Sequence, residues 1–423
     1  MAVFRSYKEL SVRDNLRCAL LVLFLYAVIF REPLEAAGFF VVSDVIDLTA
    51  AAGIPALLWM AVRNRSWRKP AVIGGVCLAV FVASGMAGYS VCRYQTLSVT
   101  FEGLTASVQF FLWLCIFAAL FEGLPLERCA ARLSVHTCAM SALFVILTVL
   151  DVQRHLWPRQ IYRNGMGSIQ LFYGHPSVMA ANAAVLLVFL LLLIPYAKLP
   201  RVMALLMAYP LYMTLRIRVW GFIAVTAMLV LWTGVLKKKM NPVFVLAAGA
   251  AGLAVGWRRL YSYYFSPYAL LMARGQFAFN GLRIAKDRFP FGTGFGTFGS
   301  RAAQAWYSPV YYWYEMYHTP GLDPLWPSFA CDTFWPMILG ETGWLGLAGY
   351  LGLMGVLAYG IFAQKTKGAW AYTAALTAVV FELLDTTGNL AFADPSAAGF
   401  ALAIGVVWGM AARETNGEEA VRA

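Results

Sequence analysis

Twelve apolar stretches dominate this chain, at approximately 16–30, 37–62, 71–91, 104–122, 133–152, 177–196, 202–215, 219–236, 242–257, 334–363, 369–392 and 396–412. A helix needs about 20 mainly apolar residues to cross the hydrocarbon core of a bilayer. Lipid offers no partner to an unpaired backbone group, so stretches of this kind form helices. The seventh and ninth are short, leaving eleven as the alternative count. With 61% hydrophobic and 13% charged residues, a chain of 423 residues has too little polar surface for a soluble fold. The expected fold class is an all-α polytopic membrane protein of about 12 transmembrane helices. Residues 1–17 carry Arg5, Lys8, Arg13 and Arg17 and lead straight into the first stretch, as in a signal anchor.

On a soluble protein a net charge of +12 would point to nucleic acid. Here topology absorbs most of it, because short cytoplasmic loops are enriched in Lys and Arg. With the N-terminus in the cytoplasm, 19 basic residues fall on inner loops and tails, among them Arg63, Arg65, Arg68, Lys69, Arg128, Arg132, Lys198, Arg201 and Lys237–Lys239. The other 14 fall outside: Arg31, Arg93, Arg154, Arg159, Arg163, Arg216, Arg218, and seven in one long loop at 258–333 (Arg258, Arg259, Arg274, Arg283, Lys286, Arg288 and Arg301). Long loops are often functional, and outer positive charge works against the topology rule, so an anionic ligand is the simplest reason for it. The expected organisation is spans one to nine over 1–257, the outer loop at 258–333, spans ten to twelve over 334–412, and a polar tail at 413–423 expected to be disordered. Seven cysteines, mostly within spans, show no metal-binding spacing.

Five acids lie in the outer half of the predicted spans: Asp44, Asp47, Glu341, Glu382 and Asp385. Intramembrane acids face a partner or a cavity. They either pair with Arg216 or Arg218 to lock helices, or surround a cavity open to the outside. Within the loop, 268–288 has helical spacing and predicts a helix along the membrane surface. The following Gly292, Gly294 and Gly296 read as a tight turn rather than a phosphate loop, since no strand precedes them. The aromatic run Trp306–Tyr317, with Tyr307 in it, is either an interfacial belt or a platform on which sugar rings stack.

Four groups of residues, in order, resemble a known family. They are Arg163-Asn164-Gly165 with Gly174-His175-Pro176; Leu215-Arg216-Ile217-Arg218-Val219-Trp220; Arg274 and Arg283 with the run Asp287-Arg288-Phe289-Pro290-Phe291-Gly292-Thr293-Gly294-Phe295-Gly296-Thr297-Phe298; and Asp332-Thr333-Phe334-Trp335-Pro336 with Glu341-Thr342-Gly343-Trp344-Leu345-Gly346. Together they resemble the O-antigen ligase and O-antigen or exopolysaccharide (Wzy-type) polymerase superfamily, over about 160–350. Ligases of this group place a histidine nine residues ahead of the Glu. Here Asp332 stands there, and His318 is fourteen residues earlier, which leans toward the polymerase side.

The resemblance implies a GT-C-like fold and glycan transfer at the periplasmic face of the bacterial inner membrane. The partners it implies are an undecaprenyl-pyrophosphate-linked glycan and membrane lipid, not nucleic acid; it leaves a chain-length regulator protein open. It implies no cofactor and no metal, with arginines stabilising the pyrophosphate leaving group. Arg218 is the expected pyrophosphate contact, with Arg216 pairing to an intramembrane acid if the two diverge on one helix. Arg163, His175, Arg274, Arg283, Arg288, Arg301, Tyr307 and Glu341 are the expected substrate-binding residues, His175 having a structural role as its alternative. Asp332 is the expected base for the acceptor hydroxyl, or else the N-cap of the tenth span. The alternatives in function are a ligase acting on lipid A–core and a lipid or glycan transporter.

Overall fold

The computed structural model describes residues 10–63, 65–159, 161–163, 165–238, 241–363 and 369–422. The basic residues Arg5, Lys8, Lys239, Lys365 and Lys367, and the motif residue Asn164, lie outside the described residues. The main helices are α1 (Val12–Ile29), α2 (Val41–Val62), α3 (Trp67–Cys92), α4 (Leu97–Leu120), α5 (Leu126–Arg154), α6 (Pro176–Leu193), α7 (Leu199–Met213), α8 (Ile217–Gly234), α9 (Pro242–Tyr264), α10 (Ala273–Asp287), α11 (Trp335–Phe362), α12 (Ala369–Asp385) and α13 (Ala397–Arg422). Among the described residues eight of these, namely α2 to α6, α8, α9 and α11, are long and apolar enough to cross a membrane. The chain is a multi-pass α-helical membrane protein. The remaining expected spans fall on α1, α7, α12 and α13. α7 has 15 residues, α12 has 17, and the apolar part of α13 ends at Met410, while α1 carries Arg13, Asp14 and Arg17.

α6 is the hub. Its sequence is apolar on every side, and 94% of its apolar window is buried inside the protein, as expected of a helix with no polar face. Pro176 opens it and His175 caps it, the imidazole Nδ1 accepting from the Ser177 backbone N–H. α5, α7, α12 and α13 pack around α6, while α3 packs on α11 and α4 on α13. α9 is the outlier, with only 11% of its window buried. It leans on α8 through two glycines, where a Cβ at Gly221 would stand 2.6 Å from the Gly252 carbonyl oxygen. Small residues permit such close helix approach. α9 continues to Tyr264, seven residues beyond the expected boundary at 257, so Arg258 and Arg259 are helical. The tail expected to be disordered continues the α13 helix to Arg422.

The segment between α9 and α11 is a folded cap with its own core. Phe277 and Ile284 of α10 pack with Phe298, Val310, Tyr311 and Met316. The helix expected over 268–288 runs from Ala273 to Asp287 and lies against α11. The glycine run is a buried turn grafted onto the start of α11. Thr293 and Gly294 donate to the carbonyls of Gly340 and Glu341, and Leu345 donates back to that of Pro290. α11 breaks its helical geometry at Gly343, whose φ is 62° and whose Cβ would collide with the Pro290 carbonyl, so only glycine fits.

Glu341 is the staple of this junction. Its Oε1 accepts from the backbone N–H groups of Thr297 (2.9 Å) and Phe298 (3.0 Å) and from Ser300 Oγ (2.7 Å). It is buried and is not among the residues lining the large arginine-lined cavity, so its contacts are those of a structural carboxylate where a substrate-binding role was expected. Tyr311 holds the same turn from the other side, its hydroxyl accepting from Gly299 N–H and donating to the Ala330 carbonyl.

Because one oxygen serves three donors, Glu341→Gln should fold nearly as well as wild type. Glu341→Ala strands those donors, each costing about 1–3 kcal/mol, and should lower the unfolding temperature in detergent sharply. Equal melting of the two variants would refute the staple.

Candidate functional site

At the end of the bundle that carries the cap, α6, α8, α9, α10 and α12 surround a cavity of about 580 Å³. Five arginines line it: Arg163, Arg216, Arg218, Arg259 and Arg274. His175 and Asp332 line it as well. The structure therefore brings together six residues expected from sequence: Arg163, His175, Arg216, Arg218, Arg274 and Asp332. The other five lie elsewhere. Arg283 and Arg288 sit further along α10, over the rings of Tyr314 and Tyr94. Arg301 is bound to Asp394. Tyr307 donates its hydroxyl to the Leu322 carbonyl inside the cap, and Glu341 staples the glycine run.

Of the two arginines of the Leu-Arg-Ile-Arg-Val-Trp segment, it is Arg218 and not Arg216 that pairs with an intramembrane acid. Arg218, in the first turn of α8, is engaged at all three nitrogens. Its Nε forms an ion pair of 2.7 Å with Asp385 Oδ1, and its Nη1 and Nη2 donate to the Gly388 carbonyl (2.6 Å) and to Ser177 Oγ (2.8 Å). Arg216 precedes the helix in an extended conformation, φ −91° and ψ 120°, after a left-handed Leu215. The geometry of two positions on one helix does not apply to it. It points toward His175, with Nη2 2.7 Å from Nε2, and has no carboxylate partner among the described residues. Arg216, not Arg218, is the guanidinium free to meet an anion.

Arg163 stands on a two-stranded hairpin, Tyr162–Arg163 with Met166–Gly167, and donates to the Leu215 carbonyl at 2.8 Å. Arg259 is 3.4 Å from the Tyr263 hydroxyl, one helical turn on. Arg274 lies over the Tyr263 ring at 4.7 Å and donates to Asp332 Oδ2 (3.0 Å). Arg274 is the ion-pair partner of Asp332, and among the described residues no α11 backbone N–H donates to that carboxylate. The helix-cap alternative therefore has no hydrogen bond behind it.

Five guanidiniums face two carboxylates, Asp332 and Asp385, leaving three positive charges unmatched. The field is visible in the groups just outside the helices. Burial, then Arg218 and Arg163, pull Arg216 down to about 9, and burial followed by Arg259 lowers Arg163. Burial, then Arg216 and Arg218, push His175 down to about 4. Nδ1 accepts from the Ser177 backbone N–H and Nε2 stands 2.7 Å from Arg216 Nη2, so a second proton on the ring would meet a backbone N–H on one side and a guanidinium on the other. In each case burial is the larger cause, and neighbouring positive charge adds to it.

The acids do not converge as a set. Only Asp385 reaches the site, through Arg218. Asp47 pairs with Arg31 at 3.0 Å, Asp44 is exposed on α2, and Glu382 is buried without lining the cavity. Arg259 stood among the outer basic residues with no role of its own, and Tyr263 and Gly388, which also line the cavity, were missed in the sequence. For α9 a signal existed, because Gly252, Gly256, Arg259 and Tyr263 follow the three-and-four spacing of one helix face. Among the described residues no group of three or more His, Cys, Asp or Glu side chains could hold a metal ion. No protein-family model matches the chain, and no curated protein matches it.

Removing Arg218 leaves Asp385 buried and unpaired, a loss of about 3–5 kcal/mol for such pairs. Arg218→Ala should therefore melt well below wild type, while Arg216→Ala should keep its stability and lose affinity for inorganic pyrophosphate in calorimetry. The reverse pattern would restore the original assignment of the two arginines. The His175 ring, identified by the resonance lost in His175→Asn, should not titrate between about pH 5 and 8; a midpoint near the ordinary value would contradict its placement among donors.

Proposed function

We propose that the chain is a glycosyltransferase that polymerises lipid-linked glycan, taking a chain carried on undecaprenyl pyrophosphate and joining it to another lipid-linked repeat unit. The observation that carries this reading is the pairing of two surfaces in one cavity. Three unmatched guanidiniums lie beside an apolar wall of Leu253, Leu260, Leu271 and Leu384. Part of that wall belongs to α9, the least buried of the eight long apolar helices. A ligand with a pyrophosphate head and a hydrocarbon tail matches both surfaces.

In the transfer, the bond between the anomeric carbon and the pyrophosphate oxygen breaks, and negative charge grows on the departing oxygen. Arg216, Arg163 and Arg259 are the groups without carboxylate partners and stabilise that charge. Their planar forks suit phosphate oxygens, and a low-dielectric cavity strengthens each contact. Asp332 takes the proton of the attacking hydroxyl, with Arg274 orienting its carboxylate. The cavity opens toward the periplasm in this reading, with both termini in the cytoplasm. The basic residues Arg128, Arg132, Lys198 and Arg201 at the opposite ends of α5 and α7 support that orientation. The polymerase reading is preferred to a ligase because Asp332 stands where the resembled ligases carry histidine.

Purified protein given a lipid-pyrophosphate-linked repeat unit should produce a ladder of lengthening glycans on a gel. Arg216→Ala should slow it by about 10²–10³-fold, the usual effect of losing one such donor, and Asp332→Asn by about 10²–10⁴-fold. A normal ladder from Arg216→Ala would sink the leaving-group assignment. Transfer to lipid A–core with no ladder would identify a ligase instead.

A further inference from the structure

α12 ends at Asp385, and the turn after it aims the Gly388 carbonyl into the cavity. This oxygen accepts from two arginines, Arg218 Nη1 at 2.6 Å and Arg274 Nη2 at 3.3 Å. A carbonyl has two lone pairs, so it can serve both. The same Arg274 Nη2 reaches Asp332. One backbone oxygen thus joins the arginine that is locked in place to the arginine that bears on the carboxylate. A Cβ on Gly388 would stand 3.1 Å from Arg218 Nη1 and 3.1 Å from Arg274 Cζ and Nη2. Gly388 does not have a left-handed backbone. What a side chain would press on here is therefore the two guanidiniums, which would have to give by a few tenths of an ångström; the conformation of the chain sets no bar.

We propose that Gly388 is a positioning residue for the transfer reaction, its carbonyl and its missing side chain together fixing Arg274 and, through it, the Asp332 carboxylate. The inference rests on the transfer reading above. The carbonyls left open at the end of a helix carry partial negative charge, which offsets the repulsion between the converging guanidiniums. Among the described residues Arg163, Arg216 and Arg259 form no hydrogen bond to Gly388, and the atoms nearest an added Cβ belong to Arg218 and Arg274. Gly388 should accordingly govern the chemical step and leave donor binding alone.

The test is steady-state kinetics of glycan extension by Gly388→Ala, with the lipid-pyrophosphate-linked repeat unit as donor and inorganic pyrophosphate as the binding probe. The added methyl, which moves the guanidiniums by a few tenths of an ångström, should lower kcat by about 3–10-fold, less than the roughly 10²-fold of a 1 Å misplacement. KM for the donor and the pyrophosphate affinity should move less than about twofold. In an Asp332→Asn background the same substitution should cost little more, since residues acting in one chain of contacts are not additive. Arg274→Lys, which cannot bridge Gly388 and Asp332 at once, should reproduce the fall in kcat if Gly388→Ala does not fold. An unchanged kcat, a full additive loss in the double variant, or a rise in KM alone would each overturn the inference. A wild type that binds pyrophosphate but extends nothing would overturn the transfer reading itself; an active wild type with an unimpaired Gly388→Ala would overturn only this one.

Discussion

The ion pair between Arg218 and Asp385 is the contact on which the cavity depends. It joins the start of α8 to the end of α12, and Ser177 brings in the start of α6 at the same level. Arg218 is 15% exposed and Asp385 8%. Neither charge has water enough to stand alone, so loss of one strands the other. Three helix ends are held together by this mutual need. Arg216 is free to face the cavity because Arg218 already answers the nearby acid.

A second constraint fixes the roof. The cap has a core of its own, but its attachment to the bundle runs through the broken start of α11. Glu341, Gly343 and the glycine run interlock there by hydrogen bonds and close contact. Asp332 stands just ahead of this junction, at the edge of the cavity. The rigidity of the junction bears directly on where a carboxylate meets a ligand, since a displacement of about an ångström can cost orders of magnitude in rate.

Much of the fold was legible in the sequence because bilayer crossing imposes length and apolarity directly, and all eight long apolar helices fall on expected spans. The site was legible in part. Arg163, His175, Arg216, Arg218, Arg274 and Asp332 were chosen and do meet at one cavity. The division of work between Arg216 and Arg218 was not, because it turns on Arg216 lying before the helix rather than on it. Glu341, Arg301 and Tyr307 misled for a common reason: a polar residue that satisfies the protein's own backbone or counter-charge looks, in sequence, like one reserved for a ligand. Gly388 was invisible, since a single glycine after a span carries no mark of the two side chains that converge on its oxygen.

The staple also sets an order of events during synthesis. The glycine run and Ser300 leave the ribosome before Glu341 does, and their three donors have no acceptor until the tenth predicted span begins to emerge. The cap can assemble its apolar core early, yet it cannot dock until α11 follows. Completion of the roof over the cavity is thereby tied to insertion of the helix behind it, so an arrested chain ending before Glu341 carries the arginines of the site but no fixed position for the carboxylate above them.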